Sequence, residues 1–100
     1  MKRKIVKIKS IKHINHDVVE IVTEKPKGYS FEPGQATDLA INKDGWKEEK
    51  RPFTFTSLPT DDYLNFVIKI YPSHDGVTEQ LAELTKGDEL ILDEAYGAIQ

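Results

Sequence analysis

Cysteine is absent from these 100 residues. With it go disulfides, thiolate nucleophiles, zinc–thiolate sites and iron–sulfur clusters. Long apolar runs are also missing. None approaches the ~20 residues that span a bilayer, so no membrane partner is expected. A basic excess is lacking too: 14 Lys and Arg stand against 17 Asp and Glu, a net charge of -3. A general nucleic-acid binder usually shows the opposite balance, so no nucleic-acid partner is expected. Lys2-Arg3-Lys4 opens the chain on a basic note, but alternating Ile and Lys follow instead of the apolar stretch of a secretion signal. The expected location is cytoplasmic. What remains is the composition of a globular protein, 31% charged and 38% hydrophobic. A chain of this length forms one domain and buries roughly two-thirds of its unfolded surface.

β-Strand signals dominate. Lys4 to Ile14 is rich in Ile and Val, and Asn15-His16-Asp17 reads as a turn into a second β-branched run, Val18 to Thr23. Pro33-Gly34 forms a turn, because Pro presets φ and Gly accepts φ > 0. It feeds a third strand, Ala36 to Asn42. A polar loop around Gly45 and Trp46 leads to a fourth strand over Arg51 to Ser57. Tyr63 to Tyr71 is the cleanest strand: Leu64, Phe66, Ile68 and Ile70 share one face, which is core, while Val67, Lys69 and Tyr71 share the other. Thr78 as N-cap, Leu81 and Leu84 on one face and Gly87 at C′ predict a short helix. Glu89 to Asp93 is the last strand. The expected fold is all-β, a six-stranded antiparallel Greek-key-type barrel, with one short capping helix between strands 5 and 6. Residues 1–100 form that single domain.

Chemistry concentrates in Arg51-Pro52-Phe53-Thr54-Phe55-Thr56-Ser57, which sets a cation, aromatic planes and three hydroxyls within seven residues. A guanidinium grips phosphate oxygens in a forked geometry, and an aromatic side chain packs on a flat ring. Each residue also has an ordinary explanation. Arg51 can be a surface ion pair, Phe53 core, and the hydroxyls common strand residues. Alternation adds a constraint, since it puts Arg51, Phe53, Phe55 and Ser57 on one face and Thr54 and Thr56 on the other. A ligand touching both Phe53 and Thr54 has to lie across a strand edge or at a bend, and Phe55 needs a pocket of its own. Gly76-Val77-Thr78 forms the second cluster. Helix N-termini attract anions through their open N–H groups, although a capped helix that binds nothing is the commoner case.

The order of these segments resembles the flavin-binding barrel of the ferredoxin–NADP reductase superfamily. Arg51 to Ser57 is similar to its Arg-x-Tyr-Ser-x-x-Ser motif, with Phe53 for Tyr and Thr54 for Ser. Phe31 to Gln35 resembles its Pro-Gly-Gln turn, and Phe66 to Lys69 the strand that follows the motif. Gly76 to Leu81 resembles its phosphate turn, and Gly87-Asp88 the turn into the last strand. The likeness runs from about Lys4 to Ile99. It implies that Arg51 contacts the flavin phosphate and that Phe53 packs on the ring or ribityl region, without a hydroxyl. Thr54 would bond near the N5–O4 edge, the backbone of Val67, Ile68 and Lys69 would line the ring, and Gly76, Val77 and Thr78 would cradle phosphate. Pro52 and Ser57 are carried within the motif. FAD is the implied cofactor, with FMN left open, and no residue is assigned a catalytic acid–base role.

Two departures stand out. Glu94 to Ile99 retains only the second glycine of the family's Gly-Pro-x-Gly-like turn. The sequence also holds no glycine-rich nucleotide loop. NAD(P)H would therefore enter through a second, NAD(P)-binding domain C-terminal to this chain, and the 100 residues alone should lack NAD(P)H-dependent turnover. A flavodoxin or ferredoxin-like electron carrier is the implied partner. Two alternatives remain: a non-catalytic β-barrel module that binds a protein or single-stranded nucleic acid, and a structural barrel whose flavin site has decayed. His13 and His16 offer too few ligands for a metal site. His74-Asp75 is read as solvated, and the adjacent carboxylate pairs as surface charge.

Overall fold

The computed structural model describes residues 3–71 and 76–97. Its elements follow the expected order: β1 (Lys4–Asn15), β2 (Val18–Glu24), β3 (Ala36–Ile41), β4 (Arg51–Thr54), β5 (Tyr63–Lys69), α1 (Val77–Ala82) and β6 (Glu89–Leu92). All ladders are antiparallel, and the strands lie side by side as β4-β3-β6-β1-β2-β5.

β1 makes the barrel curve. Lys4–Lys7 pair with β6, and pairing with β2 begins at Ile8. The register shifts between Ile8 and Ser10. Such a bulge bends a strand and increases its twist, so one long strand serves both halves of the barrel. The corner is fastened by Gly87 N–H donating to Ile8 O at 2.9 Å and Ile8 N–H donating to Asp88 O at 2.8 Å. The β1–β2 turn is held by Asp17 N–H donating to Asn15 Oδ1 at 3.0 Å, as an Asn at this position favours.

The two edge strands, β4 and β5, share no ladder. They are joined just past β4. Thr56 N–H donates to Asn65 O at 2.9 Å, Asn65 N–H donates to Ser57 Oγ at 3.1 Å, and the Thr56 hydroxyl donates to Asn65 Oδ1. These bonds nearly close the barrel at that level and leave the start of β4 unjoined.

Inside, Leu64, Phe66 and Ile68 of β5 are buried on one face, as alternation predicts. They meet Val6, Ile8, Val19, Ile21, Leu39, Ile41, Leu90 and Leu92 from the other strands. α1 caps this core with Val77 and Leu81, and Leu84 follows it inward. Phe55 finds its place here, stacked on Phe31 at 4.1 Å between ring centroids and tilted against Phe66 at 5.3 Å.

Several expected boundaries shift for identifiable reasons. β4 stops at Thr54 instead of Ser57. Phe55 N–H still reaches Gln35 O at 3.2 Å, but Thr56 turns to Asn65, so neither edge continues a ladder. β5 stops at Lys69 instead of Tyr71: Ile70 N–H is taken by Asp17 O at 2.7 Å and Tyr71 N–H by Thr78 Oγ1 at 2.7 Å. β3 and β6 each end one residue early, at Ile41 and Leu92. Thr78 is not the N-cap. Gly76 is, at φ 79° and ψ 0°, and Thr78 lies in the first turn. α1 ends at Ala82, so Gly87 serves the turn into β6 (φ 94°) rather than a helix C′ position.

Candidate cofactor site between the edge strands

Arg51 to Thr54 form an edge strand paired only with β3, residue by residue with Leu39, Asp38, Thr37 and Ala36. An edge tolerates Pro52, which has no N–H to offer a ladder. Alternation survives: Arg51 and Phe53 are half-buried, Pro52 and Thr54 exposed. Phe53 packs against the core.

The opposite wall comes from the exit of β5 and the start of α1. Tyr71 is pinned there through its N–H to the Thr78 hydroxyl. Arg51, Pro52 and Phe53 on one side and Tyr71, Val77 and Thr78 on the other line an open cleft of about 330 Å³. Its lining is largely apolar and includes one guanidinium, a combination suited to a ligand that joins a flat ring to a phosphate. Arg51 Nη1 donates to Lys50 O at 2.7 Å, and Nη2 stands 3.9 Å from Glu49 Oε1. An ion pair that long and that exposed contributes little to stability.

Gly76 supports the Val77–Thr78 wall. Its left-handed φ suits glycine, and a Cβ there would stand 3.4 Å from Trp46 Cη2. Trp46, half-buried and packed on the core, therefore backs the helix start from the β3–β4 loop.

Five of the residues singled out by the sequence thus meet in one cleft: Arg51, Pro52, Phe53, Val77 and Thr78. The others sit around it. Thr54 is exposed at the end of β4. Val67 and Lys69 lie on the outward face of β5, and Ile68 is buried in the core, leaving only its backbone for a ligand. Ser57 holds the β4–β5 seam. His74 and Asp75 lie outside the described residues. Tyr71 lines the cleft although the motif comparison did not single it out; its parity on β5 was the available signal.

A larger open cavity, about 540 Å³, lies elsewhere, lined by Gly28 to Glu32, Gln35, Glu94 and Ala95. Its charged groups are two carboxylates, which suits a phosphate-bearing ligand poorly. Two phenols outside the cleft have raised pKa values. Tyr29 is raised first by burial and then by the charges of Asp93 and Glu94, with a hydrogen bond to Thr37 opposing. Tyr96 is raised first by donating to Asp38 Oδ1 at 2.8 Å, and further by desolvation and nearby carboxylates. Among the described residues, no cluster of three or more His, Asp or Glu is placed to hold a metal ion.

A nearly closed six-stranded antiparallel barrel, capped by one helix and with an aromatic and a guanidinium beside the helix start, is the architecture of flavin-binding reductase barrels. The comparisons agree. The FAD-binding domain family matches residues 3–94, and the chain belongs to that family. The reductase component of propane 2-monooxygenase from Rhodococcus jostii (strain RHA1) is 34% identical over 97 residues. That match covers 92% of this chain and 25% of the relative, so the chain spans about a quarter of its length. Among solved structures, a ferredoxin NADP+ reductase from Neisseria gonorrhoeae with bound FAD and NADP superposes with a TM-score of 0.87 at 23% identity, covering 98% of this chain and 39% of that one. The CS-b5R domains of human Ncb5or superpose with a TM-score of 0.80 at 23% identity, covering 99% and 31%. The structural likenesses establish the fold. The family match supports FAD as the cofactor and lends no support to the binding-module alternative.

Proposed function

We propose that this chain is the flavin half of an NAD(P)H-dependent reductase of the flavodoxin or ferredoxin type, and that FAD binds along the cleft between Arg51–Phe53 and Tyr71–Thr78. The observation that carries the reading is the shared cleft itself. Residues from β4 and α1, more than twenty positions apart in sequence, present one guanidinium, one aromatic face and a helix start to the same space.

The residues present fit FAD. Arg51 grips a phosphate through its forked donors. Phe53 covers the ring or ribityl region and excludes water from it. Thr54 donates its hydroxyl near the N5–O4 edge, and the backbone of Val67, Ile68 and Lys69 lines the ring. Gly76 admits a close approach of backbone to phosphate, and Val77 N–H and the Thr78 hydroxyl donate to its oxygens. Pro52 keeps the β4 edge short of donors, and Ser57 fixes the seam that sets the spacing of the cleft. When bound, FAD supplies the redox chemistry, taking hydride from NAD(P)H and releasing electrons to a carrier. The protein orients and shields; none of these side chains has to hold or move a proton.

The whole enzyme would join this barrel to a C-terminal NAD(P)-binding domain and work with a flavodoxin or ferredoxin-like carrier in the cytoplasm. Among the described residues, no helix is long and apolar enough to cross a membrane. The test is a visible absorption spectrum after adding FAD and removing unbound ligand, paired with a dye-reduction assay. Retained flavin absorbance without NAD(P)H-dependent dye reduction is expected from the 100 residues, and both from a protein that continues into an NAD(P)-binding domain. Robust NAD(P)H-dependent turnover by the 100 residues alone would sink the division of labour. A colourless extended protein would sink the flavin reading.

A further inference from the structure

Positive charge is gathered at the start of the chain. Six of the 14 Lys and Arg precede Asp17, the first carboxylate, although the net charge is -3. Lys4, Lys7, Lys9 and Lys12 of that set lie on β1, and the second half of β1 has a free edge. β6 pairs with β1 only over Lys4–Lys7, and the corner at Ile8 takes Gly87 and Asp88. Past that corner β2 covers one edge, with Ser10 to His13 in regular register between the two shifts. Among the described residues, nothing continues a ladder on the other edge.

That edge forms one wall of an open groove of about 430 Å³, and Leu84 to Lys86, after α1, form the other. The second wall is held in place by Thr85 N–H, which donates to Asp88 Oδ2 at 2.8 Å. Ile11 and Leu84, both packed on the core, are the apolar members of the groove. Lys9 and Lys86 are exposed along it, and exposed Lys12 lies on the same stretch of β1. Among the described residues, none of these lysines makes an ion pair. Glu20 is opposite Lys12 in the register, yet its carboxylate accepts from Asn65 Nδ2 at 3.1 Å. The groove shares no residue with the cofactor cleft.

We propose that this groove docks an extended acidic segment of a partner protein, which adds to the β1 edge as a further strand. An unpaired edge presents N–H and C=O groups in the spacing that another strand satisfies. Side chains of an added strand alternate, so one set faces the apolar base and the other the lysines. Charge selects the occupant. A second copy pairing edge to edge would set lysine against lysine, the device by which edge strands refuse their own kind. Nucleic acid has no amide ladder to offer, and lysines give point charges rather than the forked geometry that arginine presents to phosphate. The inference is independent of the flavin reading.

The probe is a fluorescein-labelled peptide of alternating Glu and Val, titrated with the chain and followed by anisotropy. Salt is held near ~0.15 M, where charges more than about 8 Å apart are largely screened. Lys9→Glu/Lys86→Glu turns two attractions into repulsions and is expected to weaken binding about tenfold. Lys27→Glu/Lys43→Glu changes the net charge equally at exposed positions outside the groove and should stay within about twofold of the parent. The same peptide N-methylated throughout keeps its charge but loses its ladder donors, and should bind about tenfold more weakly. That arm needs no variant, so a folding defect cannot mimic it. Equal binding of the methylated and plain peptides overturns strand addition. Failure of the parent to bind the plain peptide, or equal loss in both charge-reversed variants, overturns the site. An oligothymidylate or phosphatidylserine vesicles binding as tightly as the plain peptide, and released by Lys9→Glu/Lys86→Glu, would overturn the protein partner in favour of a general anion face.

Discussion

Replacing Gly76 with Ala tests how the helix start is built. Gly76 adopts φ 79°, a conformation that costs an L-residue roughly 1–2 kcal/mol. Its new Cβ would also stand 3.4 Å from Trp46 Cη2, at the tight limit of ordinary contact. The expected loss is about 1–2 kcal/mol from backbone strain with at most a few tenths from the contact. In a domain of this size that lowers the melting temperature by roughly 4–15 °C. Gly45 is the control: its φ is 87°, and a Cβ there would meet nothing within 4 Å. Gly45→Ala should therefore lose the strain alone, and Gly76→Asn should lose less than Gly76→Ala, because Asn tolerates the left-handed region. Thermal unfolding followed by circular dichroism ranks all three. Full parental stability in Gly76→Ala would refute the argument from backbone strain. Gly45→Ala falling well below Gly76→Ala would refute the comparison between the two sites.

Two further perturbations follow from the same geometry. Thr78→Val removes the acceptor of Tyr71 N–H, and about 1 kcal/mol of stability should go with it, together with weaker FAD binding; equal melting temperatures would show that the bond is replaced by water at no cost. Tyr29 offers a pH test, because its phenol donates to Asp93 O at 2.7 Å and its pKa is raised by burial first. A raised folded-state pKa means that the contribution is complete below the ordinary tyrosine value of 10.0 and is lost as pH climbs through the higher folded value. Melting temperature should therefore fall more steeply above about pH 10 in the parent than in Tyr29→Phe; parallel profiles would contradict the assignment.

The sequence carried much of the fold because its periodic segments are half-buried. β5 is the clearest case: buried Leu64, Phe66 and Ile68 alternate with half-buried Tyr63 and Asn65 and exposed Val67 and Lys69, and a one-residue slip would turn that whole buried set outward. Features set by partners far along the chain were not legible. Thr78 has the side chain of an N-cap, but Tyr71 N–H occupies its hydroxyl and Gly76 caps the helix instead. The seam at Thr56, Ser57 and Asn65 depends on two edge strands meeting, which local composition does not encode. For the site, Arg51 and Phe53 were found through a motif and Val77 and Thr78 through a helix start, whereas their convergence required the packing of α1 on the barrel. Tyr71 had the right parity, yet its place in the cleft depends on the same packing.

Titrating FAD into the parent chain and into Arg51→Ala, under identical salt and with both shown to be folded, is the most direct test of the site. A charge-assisted hydrogen bond to phosphate is worth about 1.5–3 kcal/mol, roughly 10- to 150-fold in affinity. One equivalent of FAD should bind the parent, and Arg51→Ala should bind at least tenfold more weakly with its melting temperature little changed. Equal affinity in the two proteins would place the flavin somewhere other than the Arg51 cleft and contradict the account.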